Sequence, residues 1–187
     1  MIALPQAMPF IRIGASSLAL CRADWITETL TNATAGTDVP TWMAEDISKG
    51  VERFLTHHYK GTVIGSEELF DRIEKTLSNL GLDDVAENID KTPPPVRISL
   101  SELARRAGTG YELAFFRLLD QQLRSAASGG ANRVECYGIR TCVKRLSSSK
   151  KWSRRCDKLE SEITQFVDST SDLVTRARPE ITMRIAS

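Results

Sequence analysis

The sequence has no apolar run approaching the roughly 18–20 residues that a helical membrane span requires, so no membrane partner is expected. It also lacks any C-x-x-C pair. Cys21, Cys136, Cys142 and Cys156 are too few and too scattered for the disulfide framework of a small secreted domain or for a zinc ribbon. Reduced thiols in a cytoplasmic protein are the expectation. "LALC" at Leu18–Cys21 imitates a lipoprotein cleavage site, but Leu20 stands where a small residue belongs and Pro9 and Arg12 interrupt the preceding apolar stretch.

Catalytic signatures are missing too. There is no P-loop, no G-x-G-x-x-G and no G-x-S-x-G, and "ASGGAN" lacks the lysine of a phosphate loop. The only histidines, His57 and His58, are adjacent on a helical stretch, where neighbouring side chains diverge by about 100° and do not share a metal. The acidic pairs Glu67-Glu68 and Asp83-Asp84 fall in first turns of helices, where the macrodipole favours them. No catalytic residue, no metal ligand and a binding rather than an enzymatic role are therefore expected.

What is present is a mainly α-helical pattern with a strong charge asymmetry. Cys21–Lys91 carries fourteen acidic residues against seven Lys and Arg, while Asn132–Lys158 carries nine basic residues against two acidic, although the formal net charge of the 187-residue chain is +1. Separation of this kind points to different partners for the two halves, or to each half facing the other.

"FIRIGASSLALCR" reads as a β-hairpin, "ADWITETLTNAT" as a first helix and "TWMAEDISKGVERFLTHHY" as a longer one capped by Thr41. In "TVIGSEELFDRIEKTLSNLGLDDVAENI" a short strand leads to a helix capped by Ser66 with a buried stripe of Leu69, Ile73, Leu77 and Leu80. Gly81 closes that helix, and a short helix capped by Asp83 follows. The prolines of "KTPPPV" end this module. The organisation expected is a helical module over 1–91, a proline-rich spacer over 92–97, a second helical module over 98–170 and a tail over 171–187. In the second module Ser99 and Glu102 make a capping box. A helix bearing Leu113, Phe116 and Leu123, with Phe115, Leu119 and Ala127 beside them, follows, then "VECYGIRTCVKRL" as a strand pair or one bulged strand, then a final helix with Trp152, Cys156, Leu159, Ile163, Phe166 and Val167 inward.

The order hairpin, helix, long helix, "TVIGSEEL", amphipathic helix and "LGLDDVAENI" resembles the ATP-cone, the small nucleotide-sensing domain of ribonucleotide reductases and of the repressors of their genes. The likeness covers about half the chain. It implies an N-terminal hairpin with a helical bundle, and ATP or dATP as ligand. Arg12 and Gly14 match part of the family's hairpin motif, and Arg22 is placed as a second phosphate contact; the family's paired basic residues do not occur in "FIRIGASSLALC".

Two other readings stand beside this one. The segment 133–158 interleaves Tyr137 and Trp152 with cations, and Lys144, Arg145, Lys150, Lys151, Arg154 and Arg155 offer contacts for nucleic acid phosphates. "LSELARRAGTGYELAFFRLL" has a helix-turn-helix rhythm, but its second helix carries few donors for base edges, and a plain helical hairpin is the expectation. The remaining reading is an interaction module that binds another protein, or itself, and no small ligand.

Overall fold

The computed structural model describes residues 8–186; the ends of the expected first module and tail, 1–7 and 187, lie outside them. The described residues form eight helices and six short strands, a mainly α protein divided into two compact units. One unit comprises the chain up to Ile13 and Leu18–Pro94; the other comprises Gly14–Ser17 and the chain from Pro95 onward.

In the first unit β1 (Phe10–Ile13) is the central strand of three, with β2 (Ser17–Leu20) beside it as its hairpin partner and β3 (Val63–Gly65) parallel to it on the other side. The register Phe10↔Val63, Ile11↔Ile64, Arg12↔Gly65 buries Ile11 and Ile64 together and leaves Arg12 outward. Helices α1 (Ala23–Ala33) and α2 (Thr41–His57) pack against each other, and a 2.6 Å hydrogen bond joins the Thr27 and Ser48 hydroxyls between them. Helices α3 (Ser66–Asn79) and α4 (Asp83–Glu87) form a second pair, with Phe70 edge-on to Trp25 of α1 at 5.9 Å. Gly81 closes α3 as expected: at φ +74 it adopts a left-handed conformation that a side chain would oppose, and Leu82 N–H returns to Leu77 O at 3.0 Å. The expected caps Thr41, Ser66 and Asp83 are instead the first helical residues, preceded by Pro40, Gly65 and Leu82, none of which makes a side-chain cap. Proline suits that place because its missing N–H costs the helix nothing there.

The second unit is built on a three-stranded parallel sheet, β4 (Val96–Ser99), β5 (Arg133–Tyr137) and β6 (Thr182–Ile185), in that spatial order. Helices α5 (Leu100–Ala107) and α6 (Glu112–Ser128) connect β4 to β5; α7 (Ile139–Leu146) and α8 (Arg154–Ala177) connect β5 to β6. Ile98, Val134, Cys136 and Met183 point to the core, where Phe115, Leu119 and Leu123 of α6 and Leu159, Ile163 and Val167 of α8 are buried. Each such side chain contributes about 1.5–3 kcal/mol of burial. The opposite face of the sheet carries the in-register row Arg97, Glu135, Arg184, with Arg184 Nη2 donating to Glu135 Oε1 at 2.6 Å. The Ser99 hydroxyl accepts from Glu102 N–H at 3.3 Å, the first half of the expected capping box.

Three expectations are corrected. "VECYGIRTCVKRL" is a single strand followed by a helix. Gly138 at φ +79 makes the turn, and Cys142, Val143 and Leu146 recur at helical spacing and bury completely, so packing overrides the β-propensity of the segment. Residues 171–187, expected as a tail, include the last turns of α8 and the edge strand β6. Leu113, expected inward, is 83% exposed, because the buried stripe of α6 runs through Phe115, Leu119 and Leu123.

Candidate nucleic-acid interface

The connection between α7 and α8 concentrates exposed cations, and local sequence accounts for its shape. Burial of Cys142, Val143 and Leu146 turns Arg140, Lys144 and Arg145 outward on α7. The helix ends in a run of serines. The Ser147 hydroxyl lies 2.7 Å from Val143 O, Ser148 takes the left-handed conformation at φ 55, and Ser149 N–H returns to Lys144 O at 3.1 Å. Ser153 then precedes α8 with extended dihedrals, its carbonyl accepting from Cys156 N–H at 2.7 Å.

Beneath this loop the Cys156 thiol is fully buried, 3.4 Å from the hydroxyls of both Ser147 and Ser153. Hydrogen bonding from Ser147 and then Ser153 outweighs the desolvation that opposes ionisation, and pulls this thiol down to about 7. Cys136 and Cys142, with burial alone acting on them, are pushed up to about 12. On the outside, the Arg140 guanidinium lies 4.9 Å from the centroid of the Trp152 ring, whose indole N–H donates to Asp157. That contact ties the loop to both helices.

All six sequence-selected cations of this region are exposed. Arg155 is engaged, donating to Glu112 Oε1 at 2.8 Å. Lys144, Arg145, Lys150, Lys151 and Arg154 form no ion pair with any carboxylate among the described residues. The positive surface continues onto α5, which packs on α7. There the Arg105 guanidinium holds the Glu102 carboxyl below its usual range, and the charges of Arg106 and Arg145 add to the effect.

Helix energetics separate these cations into two kinds. Lys144 and Arg145 lie in the last turn of α7, where positive charge complements the macrodipole. Arg154 and Arg155 lie in the first turn of α8, the positive end, where a cation costs about 0.3–1 kcal/mol. Helix stability does not explain them.

The hairpin candidates are placed differently. Arg22 is bound to Asp24 through both its Nε, at 2.9 Å, and its Nη2. Gly14 has φ +56, and a Cβ there would stand 2.8 Å from Gly129 O and 2.9 Å from Gly130 Cα, so the protein's own backbone requires the glycine. Ser16 and Ser17 N–H both donate to Gly129 O at 3.3 Å, and the Ser17 hydroxyl donates to Ala126 O at 3.0 Å. Arg12 is exposed on β1. Gly14 belongs to the second unit, whereas Arg12 and Arg22 belong to the first.

Sequence reading missed the Arg140–Trp152 stack, the Ser147–Cys156–Ser153 cluster and the extension onto Arg106. Their signal was the helical period hidden in residues 139–146. No group of His, Cys, Asp or Glu suited to a metal ion occurs among the described residues. No family model matches the chain, and no curated protein and no solved structure matches it either.

Proposed function

We propose that the protein binds nucleic acid through the α7–α8 connection and the adjoining end of α5. The observation that carries this reading is the set of five exposed cations that form no ion pair among the described residues, Lys144, Arg145, Lys150, Lys151 and Arg154, gathered where the first turn of α8 adds its own partial positive charge. Phosphate contacts of this kind are sequence-tolerant and release condensed counterions, so affinity falls as salt rises, with a logarithmic slope of about −0.9 per contact on duplex DNA. Titration of labelled duplex and single-stranded DNA and RNA across a salt series tests it. Absence of binding at low salt, or binding indifferent to salt, removes the reading.

A second reading is regulation by ATP or dATP at an ATP-cone-like first unit. It is favoured by the element order β1, β2, α1, α2, β3, α3, α4, which follows the order on which the sequence resemblance rests. Arg12 would then be the phosphate contact, because the Arg22 guanidinium is engaged by Asp24 and the Gly14 turn by Gly129 and Gly130. Melting with a nucleotide panel separates the two: a ligand of the native state raises Tm in proportion to ln(1 + [L]/Kd).

A further inference from the structure

The parallel sheet buries one face against helices. Its strands advance in the order β4, β5, β6, and Ile98, Val134, Cys136 and Met183 share one apolar cluster with buried side chains of all four helices, α5 to α8. Parallel sheets are ordinarily buried on both faces. Here the second face carries polar side chains, and the helices of its own unit are committed to the first.

Arg97, Arg133 and Arg184 stand on that second face with the single carboxylate of Glu135. Arg184 takes Glu135 through two donors, at 2.6 and 3.2 Å, whereas Arg97 Nε stays 3.9 Å away, beyond hydrogen-bonding distance. The Nε atoms of Arg97 and Arg133 are buried, with no hydrogen-bond partner among the described residues. An unmet buried donor is costly. Three arginines against one glutamate ask for acceptors that are anionic.

Tyr137 ends β5 on this face, 37% exposed, with the Arg97 guanidinium 4.7 Å from its ring centroid. Three residues on, Arg140 lies 4.9 Å from the Trp152 centroid. Two half-open rings, each backed by a guanidinium, therefore flank the start of α7, and at most about 11 Å of chain separates Tyr137 from Arg140. Cations alone do not tell a duplex from a single strand. Rings do, because the bases of a duplex are stacked on one another, whereas a single strand can turn its bases onto aromatic rings and guanidinium planes.

We propose that the nucleic acid bound here is single-stranded, with bases stacked on Tyr137 and Trp152 and phosphates running from the α7–α8 cations onto Arg97 and Arg133 of the sheet face. The proposal rests on the nucleic-acid reading above and names its substrate class. An acidic protein segment fits less well, since its carboxylates would meet the arginines and leave both rings unused.

The full-length protein is titrated at low salt with three labelled probes of equal length. They are a mixed-sequence single strand of DNA, its duplex, and an abasic single strand that keeps the phosphates without the bases. The base-bearing strand should bind at least about tenfold more tightly than the abasic one, and more tightly than the duplex. Tyr137→Leu and Trp152→Leu should each weaken the base-bearing strand about fivefold or more and leave the abasic strand unchanged, which also reports an intact fold. Tyr137→Phe and Trp152→Phe, which keep a ring, should retain most of the affinity. Arg133→Gln should lower the single-strand salt slope by about 0.7. Equal binding of the base-bearing and abasic strands, tighter binding of the duplex, an unchanged slope in Arg133→Gln, or ring variants that weaken neither strand or both alike overturns the proposal. Each of these leaves the phosphate reading of the α7–α8 cations standing. Binding of no probe at low salt removes both.

Discussion

Trp152 is held between two partners: the Arg140 guanidinium 4.9 Å from its ring centroid and the Asp157 carboxylate that accepts from its indole nitrogen. The loop carrying Lys150 and Lys151 is therefore tethered at the residue that follows them. Trp152→Ala removes both contacts and should lower stability by about 1–2 kcal/mol in urea unfolding, a cation–π pair and a charged hydrogen bond together. Trp152→Phe keeps a ring face for Arg140 but drops the hydrogen bond to Asp157, and should destabilise less than Trp152→Ala does.

Neutralising Lys150, Lys151 and Arg154 together to alanine should reduce the logarithmic salt slope of nucleic-acid binding by about 3, one step of roughly 0.9 for each lost phosphate contact. Arg155→Ala should change the slope little, since that side chain is spent on Glu112. Its stability should change by less than about 1 kcal/mol, because loss of the exposed Glu112 pair and relief of a cation at the positive end of α8 oppose each other. A slope equally reduced by both variants would contradict the division of the six cations made above.

Cys156 should be the one thiol of the four that ionises near neutrality in the folded protein, visible as thiolate absorbance. Its folded value, about 7, lies below its ordinary value of 9.0. Ionisation therefore stabilises the fold fully above the unfolded value, and that contribution is lost as pH falls through about 7. Wild type should gain Tm relative to Cys156→Ala as pH rises from neutral to mildly alkaline. Ser147→Ala should raise the midpoint of the absorbance titration. An unchanged midpoint would show that the hydroxyl does not carry the effect.

Gly14→Ala adds a methyl group 2.8 Å from Gly129 O at a positive φ. The clash is with backbone, which cannot swing aside, so destabilisation of about 2–3 kcal/mol is expected from urea midpoints. Gly36→Ala is the control. Its φ is +83, but nothing stands within 4 Å, so the conformational cost of about 1 kcal/mol remains alone.

Local chemistry made much of the fold readable. The stripe Leu69, Ile73, Leu77, the Gly81 stop and the Ser99 cap each depend on residues a few positions apart and form as the spacing predicts, whereas Leu80, expected on the same stripe, stands at the C-cap of α3 and is 60% exposed. The parallel sheet was not legible, because Val96–Ser99, Arg133–Tyr137 and Thr182–Ile185 find each other only after two helices intervene. Residues 139–146 were misread because Ile139, Cys142 and Val143 favour strands in isolation and fold as a helix only against a core. The cations were found by composition alone. What composition cannot show is which of them are already neutralised, and Arg22 and Arg155 differ from Arg12 and Arg154 only in having a carboxylate in reach.

The turn Gly14–Ser17 has a consequence for dissecting the molecule. Its N–H groups and the Ser17 hydroxyl satisfy the carbonyls of Gly129 and Ala126, at a separation of more than a hundred residues. A fragment that starts at the prolines contains every strand and helix of the parallel-sheet unit, yet it takes from Gly129 O the Ser16 and Ser17 N–H donors and leaves Ala126 O with the Ala131 N–H alone. Cleavage at the prolines should yield a C-terminal piece that exchanges its α6 amides faster than the intact chain does, and adding back a peptide spanning β1 and β2 should slow that exchange again.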